Sequence, residues 1–288
     1  MDYKKKIVQL NLVIIIYSIF VVIFNNHKHK HFEDDLTLVS AYYQMKSKHS
    51  NIEYLSWIKN ILLLNKSLVF FTNKKLMPIL KKLRPIKLYY KTIFVELEME
   101  DFYVNKHFQK EFNKSFYIDP ENSYHSVPLY MVWAEKNMFL KRAILSNNFH
   151  SKCFFWIDAG YFREKKVNMK KYVNSWPSTK KCFEDKRLLM GQVKNFSYFE
   201  KQKIANFDIT SLKTLQNDIN VIGGLFGGQV DNILKFSDHY YRAINKYIKN
   251  NLFIGKDQNI YTFVAFSHPE IVKLVFFRNY LSFKAYLK

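Results

Sequence analysis

Three short segments hold the residue types that chemistry needs. Four of the seven glycines fall within six residues, in Val221-Ile222-Gly223-Gly224-Leu225-Phe226-Gly227-Gly228. Glycine serves where φ is positive or where another group must approach the main chain. The cluster follows a β-prone pair and precedes a long helical pattern. That spacing predicts a tight glycine turn between a strand and a helix, where α/β proteins hold ligands. A buried double turn without a ligand is the plain structural alternative. Asp158 follows the apolar run Cys153-Phe154-Phe155-Trp156-Ile157. A carboxylate at that strand end points into the crevice at the carboxyl edge of a sheet. It suits Mg²⁺ or Mn²⁺ shared with a nucleotide diphosphate, because these ions take hard oxygen ligands. Gly160, two residues later, leaves room for a ligand. An Asp capping a turn reads equally well there. The third segment, Gly255-Lys256-Asp257-Gln258, opens a helical pattern. The helix dipole keeps Asp257 ionised. An N-cap role accounts for Asp257 but not for Lys256 and Gln258 beside it.

The elements that must position these residues alternate. Strands are predicted at 36–43, 67–71, 92–97 and 153–157, with a β-prone run at 271–277. Helical spacing covers 51–64, 74–83, 129–145, 228–250 and 257–267, with Pro85 stopping the second and Pro128 starting the third. Alternation of this kind predicts an α/β fold, Rossmann-like, with a mainly parallel mixed sheet flanked by helices. Residues 161–218 are less regular and read as a mixed, partly antiparallel excursion.

The 288 residues are 48% hydrophobic and 18% aromatic, enough for a packed core. The formal charge is +21, and the first 30 residues, with five Lys and one Asp, carry +4 of it. A basic surface attracts phosphate-bearing partners. Lys far outnumbers Arg, however, and the aromatics sit at core-like spacing. No nucleic-acid-binding motif is visible, so nucleic acid is not an expected partner. Cys153 and Cys182 make neither a disulfide framework nor a zinc site. Cys153 reads as a buried strand thiol, with a single disulfide as the alternative.

Residues 7–24 form an uncharged, mostly apolar stretch flanked by Lys4-Lys5-Lys6 and Asn25-Asn26-His27-Lys28. Its length suits a transmembrane helix. No small-residue cleavage site follows, so an uncleaved single-pass anchor is favoured over a signal peptide. The lysines favour a cytosolic N-terminus with the rest of the chain across the membrane, a type II arrangement. The expected organisation is an anchor and short linker over 1–32 and a single domain over 33–288.

The order of the three segments resembles that of GT-A-type glycosyltransferases. More closely, the chain resembles the bacterial HtrL/YibB-type family, which is glycosyltransferase-like. The matching stretches are Leu36–Tyr43, Ser47–Ser50 with Trp57, Leu68–Asn73, Phe155–Arg163, Gly223–Gly228 and Phe253–Asn259, colinear over about 36–270. The resemblance implies a GT-A-like fold and transfer of a sugar from a nucleotide-diphosphate donor, UDP-sugars being favoured. The acceptor would be a hydroxyl of a glycan, a lipid-linked molecule or a protein. It implies that Ala41, Tyr42, Tyr43 and Asn73 face the donor base. Asp158 would take the place of the first Asp of a DxD metal motif, with Mn²⁺ or Mg²⁺. Lys141 or Arg142 would neutralise phosphate. Gly223, Gly224, Phe226, Gly227, Gly228 and Lys256 would line the sugar and acceptor side. Asp257, with Gln258, would act as base toward the acceptor or stabilise the oxocarbenium-like sugar. Two departures stand out. Asp158-Ala159-Gly160 lacks the second carboxylate of DxD, which brings in His268 as a candidate second metal ligand. Asn73 stands where an Asp is more usual. The alternative reading is a membrane-tethered binding or scaffolding protein that keeps the fold without turnover.

Overall fold

A computed structural model describes residues 34–163, 165–278 and 282–288. In chain order the first half comprises β1 (Leu36–Tyr42), α1 (Asn51–Leu62), β2 (Ser67–Thr72), α2 (Met77–Leu83), β3 (Thr92–Glu96), α3 (Tyr103–Tyr117), α4 (Val127–Ser146) and β4 (Cys153–Ile157). The second half comprises α5 (Lys166–Val173), α6 (Thr179–Glu184), β5 (Leu188–Gln192), α7 (Tyr198–Ala205), α8 (Ile209–Thr214), β6 (Val221–Gln229), α9 (Val230–Lys249), α10 (Asp257–Ser267), β7 (Val272–Phe276) and α11 (Ser282–Tyr286).

The strands form one seven-stranded sheet in the order β3-β2-β1-β4-β6-β5-β7. β3, β2, β1 and β4 are parallel, β6 runs antiparallel to β4 and β5, and β5 is parallel to β7. The mainly parallel mixed sheet expected from the alternation is therefore present. β1, β2 and β4 are buried along their whole length, as strands covered on both faces must be. One face packs Leu38, Phe70 and Phe155 against Ile58 and Ile61 of α1 and Phe283 of α11. On the other, Phe139 of α4 contacts Phe71 and Trp156, and Phe226 meets Phe236 of α9 and Tyr261 of α10.

Local signals set the element ends. A reciprocal capping box of Ser50 and Glu53 opens α1. Pro128 opens α4, and Asn147 closes it in the left-handed region at φ 30°. α3 is an addition to the expected elements, with Val104, Phe108 and Phe112, four residues apart, forming its buried face.

The predicted glycine turn is absent. Residues 221–229 are instead a fully formed strand, β6, and no described glycine has positive φ. The need is for close approach. A Cβ at Gly227 would lie 2.6 Å from Phe155 Cα and would meet the carbonyl oxygen of Phe154 on β4. β-branched neighbours and glycine-permitted proximity together make a strand that glycine counting reads as a turn.

Cys153 at the head of β4 and Cys182 in α6 form a disulfide, so the thiol reading of Cys153 is corrected. The alternation pattern places Cys153 in a strand, but only the excursion between β4 and β5 brings Cys182 back to it. The bridge spans 29 residues, and a loop of that length is worth roughly 3–4 kcal/mol in chain entropy. Cys182→Ala is expected to lower the thermal midpoint by about 10 °C. Scanning calorimetry of this variant beside the unsubstituted protein checks it, and equal midpoints would refute a structural role.

The apolar stretch 7–24 and its flanks lie outside the described residues. Among the described residues, no helix is long and apolar enough to cross a membrane.

Candidate active site

The sheet order reverses between β1 and β4. From β1 the chain builds outward to β2 and β3, then returns to place β4 on the other side. Helices depart to opposite sides at such a point, opening a crevice outside the carboxyl ends of the strands. A cavity of about 500 Å³ lies there, lined by Ala41, Tyr42 and Tyr43 at the end of β1 and by Trp156, Asp158 and Gly160 at the end of β4. Tyr54 of α1, Trp133 of α4 and Tyr161 add aromatic walls, and Arg163 adds a cation. Arg163 is held by its Nε–H donating to the Gly160 carbonyl at 2.9 Å, and its guanidinium stacks 4.5 Å over the Trp57 ring.

Beneath the cavity, reaching it through Asp158, is a charge triad that no single motif announces. Lys136, in the middle of α4, is wholly buried. Its Nζ lies 2.9 Å from Asp158 Oδ1 and 2.8 Å from Asp257 Oδ2, and donates to the Gly223 carbonyl at 3.0 Å. Trp156 Nε1–H donates to Asp158 Oδ1 at 2.6 Å. The two carboxylates differ in access, with the Asp158 side chain 31% exposed and that of Asp257 only 5%. Burial works against the Lys136 charge, but Asp158 and Asp257 overbalance it and raise its pKa. Burial pushes the Asp257 carboxyl up, against the pull of Lys136.

β6 explains how Gly223 enters this cluster. Because it is antiparallel to β4, its first residues reach the carboxyl edge of β4. Ile157 pairs with Leu225, and Asp158 N–H donates to the Gly224 carbonyl at 2.8 Å. A Cβ at Gly223 would stand 3.0 Å from Asp257 Oδ2. Gly227 and Gly228 pair with Phe155 and Phe154, about 10 Å back along the strand. The glycine cluster is thus divided, with its first pair at the triad and its second pair within the sheet. Phe226 is buried against α9 and α10 rather than in the cavity.

The other predicted residues are dispersed in instructive ways. Asn73 accepts from the Leu76 N–H at 2.9 Å and shapes the entry to α2, away from the cavity lining. Lys141 pairs with Asp238 at 3.5 Å on an exposed surface, and Arg142 lies 3.4 Å from Glu135. Both sit beyond Lys136 on α4, on turns that face away from the cavity. Lys256 binds Glu121 and the Gln216 carbonyl rather than Asp257. Gln258 follows Asp257 in the first turn of α10 and is half-buried. His268 ends α10 at the opposite end from Asp257, about 16 Å away along the axis. There it pairs with Glu270 and stacks on His239 at 3.7 Å.

Lys136 was legible in one respect. Glu135-Lys136-Asn137 places three consecutive polar residues in the middle of α4, and all three are buried. Glu135 accepts from the Tyr103 and Val104 N–H groups at the start of α3, and burial raises its carboxyl to about 7.

The family model for a bacterial protein of unknown function, HtrL_YibB, matches residues 34–286. The chain belongs to the HtrL_YibB family. The match covers every strand and all three segments that form the triad. No match is found among curated proteins. Among solved structures, the chain is similar to core-mannan synthase A from Aspergillus fumigatus in its Mn/GDP form. That pair is 13% identical with a TM-score of 0.47, covering 84% of this chain and 73% of the other.

The donor set also tests whether this HtrL_YibB chain suits a divalent ion. Among the described residues no group of three His, Cys, Asp or Glu side chains is placed to hold a metal. His268 is remote from Asp158, and the place between Asp158 and Asp257 is filled by the Lys136 ammonium. As arranged, these residues do not fit Mn²⁺ or Mg²⁺.

Proposed function

We propose that this HtrL_YibB protein is a GT-A-like glycosyltransferase. It moves a sugar from a nucleotide-diphosphate-sugar to a hydroxyl of a glycan, lipid-linked or protein acceptor. The reading includes a type II anchor over 1–32 and a catalytic domain over 33–288. The observation that supports it most is the aromatic cavity at the β1/β4 reversal, with a partly open carboxylate on its floor. Tyr42, Tyr54 and Trp133 offer faces for stacking a base. Arg163 meets the diphosphate, which carries the charge released as the sugar bond breaks. Asp158 faces the sugar. Asp257, buried behind Lys136, acts as a positioning residue through that lysine. A base that takes the acceptor proton must lie within hydrogen-bond reach of it, and Asp158 is the member of the triad with that access.

One observation favours the second reading, a binding module without turnover. Both carboxylates form ion pairs with Lys136, an arrangement that suits a purely structural triad as well.

Calorimetric titration of the full chain in detergent with UDP and with GDP tests the proposal. One nucleotide should bind, and Trp133→Ala should weaken it by about 1–3 kcal/mol, the worth of one base–aromatic stack. Failure of both nucleotides to bind would sink the donor-site reading. Binding without transfer or donor hydrolysis across a broad acceptor screen would leave the module reading standing.

A further inference from the structure

We infer that Lys136 is the resident cation of this site, and that the donor nucleotide binds without a divalent metal. The inference rests on the donor-site reading above and concerns the same cavity. An ammonium has three N–H donors. Lys136 Nζ donates to Asp158 Oδ2 at 3.3 Å and to the Gly223 carbonyl at 3.0 Å, and it forms ion pairs with Asp158 Oδ1 at 2.9 Å and Asp257 Oδ2 at 2.8 Å. The cation is therefore neutralised by two carboxylates and held from three places, the end of β4, β6 and α10. Asp158 Oδ1 is doubly engaged, since Trp156 Nε1–H also donates to it.

A divalent ion needs several oxygens at about 2.0–2.6 Å. The triad offers it little, because Asp158 Oδ2 also accepts from Lys136 Nζ at 3.3 Å and Asp257 is buried behind that lysine. Position 160, where a second carboxylate of a chelating pair would stand, is Gly160. A side chain there would press on Tyr54 at 3.1 Å and Trp57 at 3.3 Å. An ion placed on Asp158 would also face the Lys136 charge across a gap too short for screening. Asp158 keeps 31% of its side chain exposed, and its oxygens retain acceptor capacity beside the Lys136 contacts, which suits a hydroxyl group of the donor. Among the described residues that line the cavity, Arg163, beside Gly160, is the cation placed to meet phosphate.

Two measurements on the full chain test this. The first titrates MnCl₂ alone and reads free Mn²⁺ by electron paramagnetic resonance. No binding is expected up to about 1 mM, and a site tighter than that overturns the inference whatever the nucleotides do. The second titrates UDP and GDP in EDTA and in Mn²⁺. Affinities within about twofold of each other support the inference, and a gain of about tenfold or more with Mn²⁺ overturns it. If neither nucleotide binds in either buffer, the donor-site reading fails, and the Mn²⁺ titration alone decides the identity of the cation. Lys136→Met and Lys136→Gln leave two carboxylates facing one gap, and in whichever variant folds a Mn²⁺ site should appear. A folded variant that still takes no Mn²⁺ would count against Lys136 standing in the metal's place.

Discussion

Lys136→Met lowers the stability of the folded domain by about 3–5 kcal/mol at pH 8, the usual cost of leaving a buried ion pair without one partner. For a chain of this size that is a fall of about 10 °C in the thermal midpoint. The physical cause is that methionine fills the volume but leaves Asp257, 5% exposed, without its counter-charge. The sign of the pH dependence follows from burial. With Lys136 removed, the folded Asp257 pKa rises further above its unfolded value. The penalty is then absent below the unfolded pKa and grows as pH rises toward the folded one. The variant should approach the unsubstituted protein near pH 4, about the unfolded Asp pKa, and diverge from it at pH 8, about four units above that value. Adding Asp257→Asn should restore most of the loss, because the remaining pair of groups is then neutral at that position. Denaturant unfolding of the single and double variants across pH checks all three statements. A single variant within about 1 kcal/mol of the starting protein would mean that the triad is a surface-like pair of little energetic weight.

Gly227→Ala is expected to cost about 3 kcal/mol, the upper end of over-packing, and about 6–12 °C in midpoint. The added methyl would lie 2.6 Å from Phe155 Cα and against the Phe154 carbonyl, both main-chain atoms of β4. A side chain can rotate away from a new methyl, but a central strand cannot. β4 is held by β1 on its other edge and tied by a disulfide at Cys153. The change should disturb the β4/β6 pairing that carries Asp158 and Gly224 together. Hydrogen exchange at the amides of β4 would report it directly. Unchanged protection there, with an unchanged midpoint, would show that the two strands can separate without penalty.

Much of the sheet is legible in the chain. β1, β2 and β4 are short apolar runs between helical patterns, and burial on both faces demands such runs of any central parallel strand. Asp158 is legible for a related reason, because a polar residue that ends a buried strand must emerge at the sheet edge. The division of the glycine cluster is not legible. Glycine permits a turn and a close strand crossing alike, and only the position of β6 between β4 and β5 selects the second. Lys141 and Arg142 were attractive as phosphate cations because they are charged and precede β4. The lysine of α4 that reaches Asp158 and Asp257 is Lys136, five and six positions earlier in the same helix. A helix turns about 100° per residue, so the face presented to the site is set by how α4 packs on the sheet. His268 fails for the same kind of reason, since α10 carries it the length of a helix from Asp257, and so away from Asp158, the ligand it was expected to join.

The sequence alone determined the α/β alternation, the apolar N-terminal stretch and the identity of two of the three charged groups, because each is written in local pattern. Tertiary structure decided which charges meet. Asp158, Asp257 and Lys136 lie on β4, α10 and α4, as many as 121 positions apart. Their meeting depends on the antiparallel insertion of β6, which brings Gly223 and the start of α10 to the carboxyl edge. Local propensity acts over a few residues, whereas a buried ammonium finds its carboxylates only after the core has closed around all three.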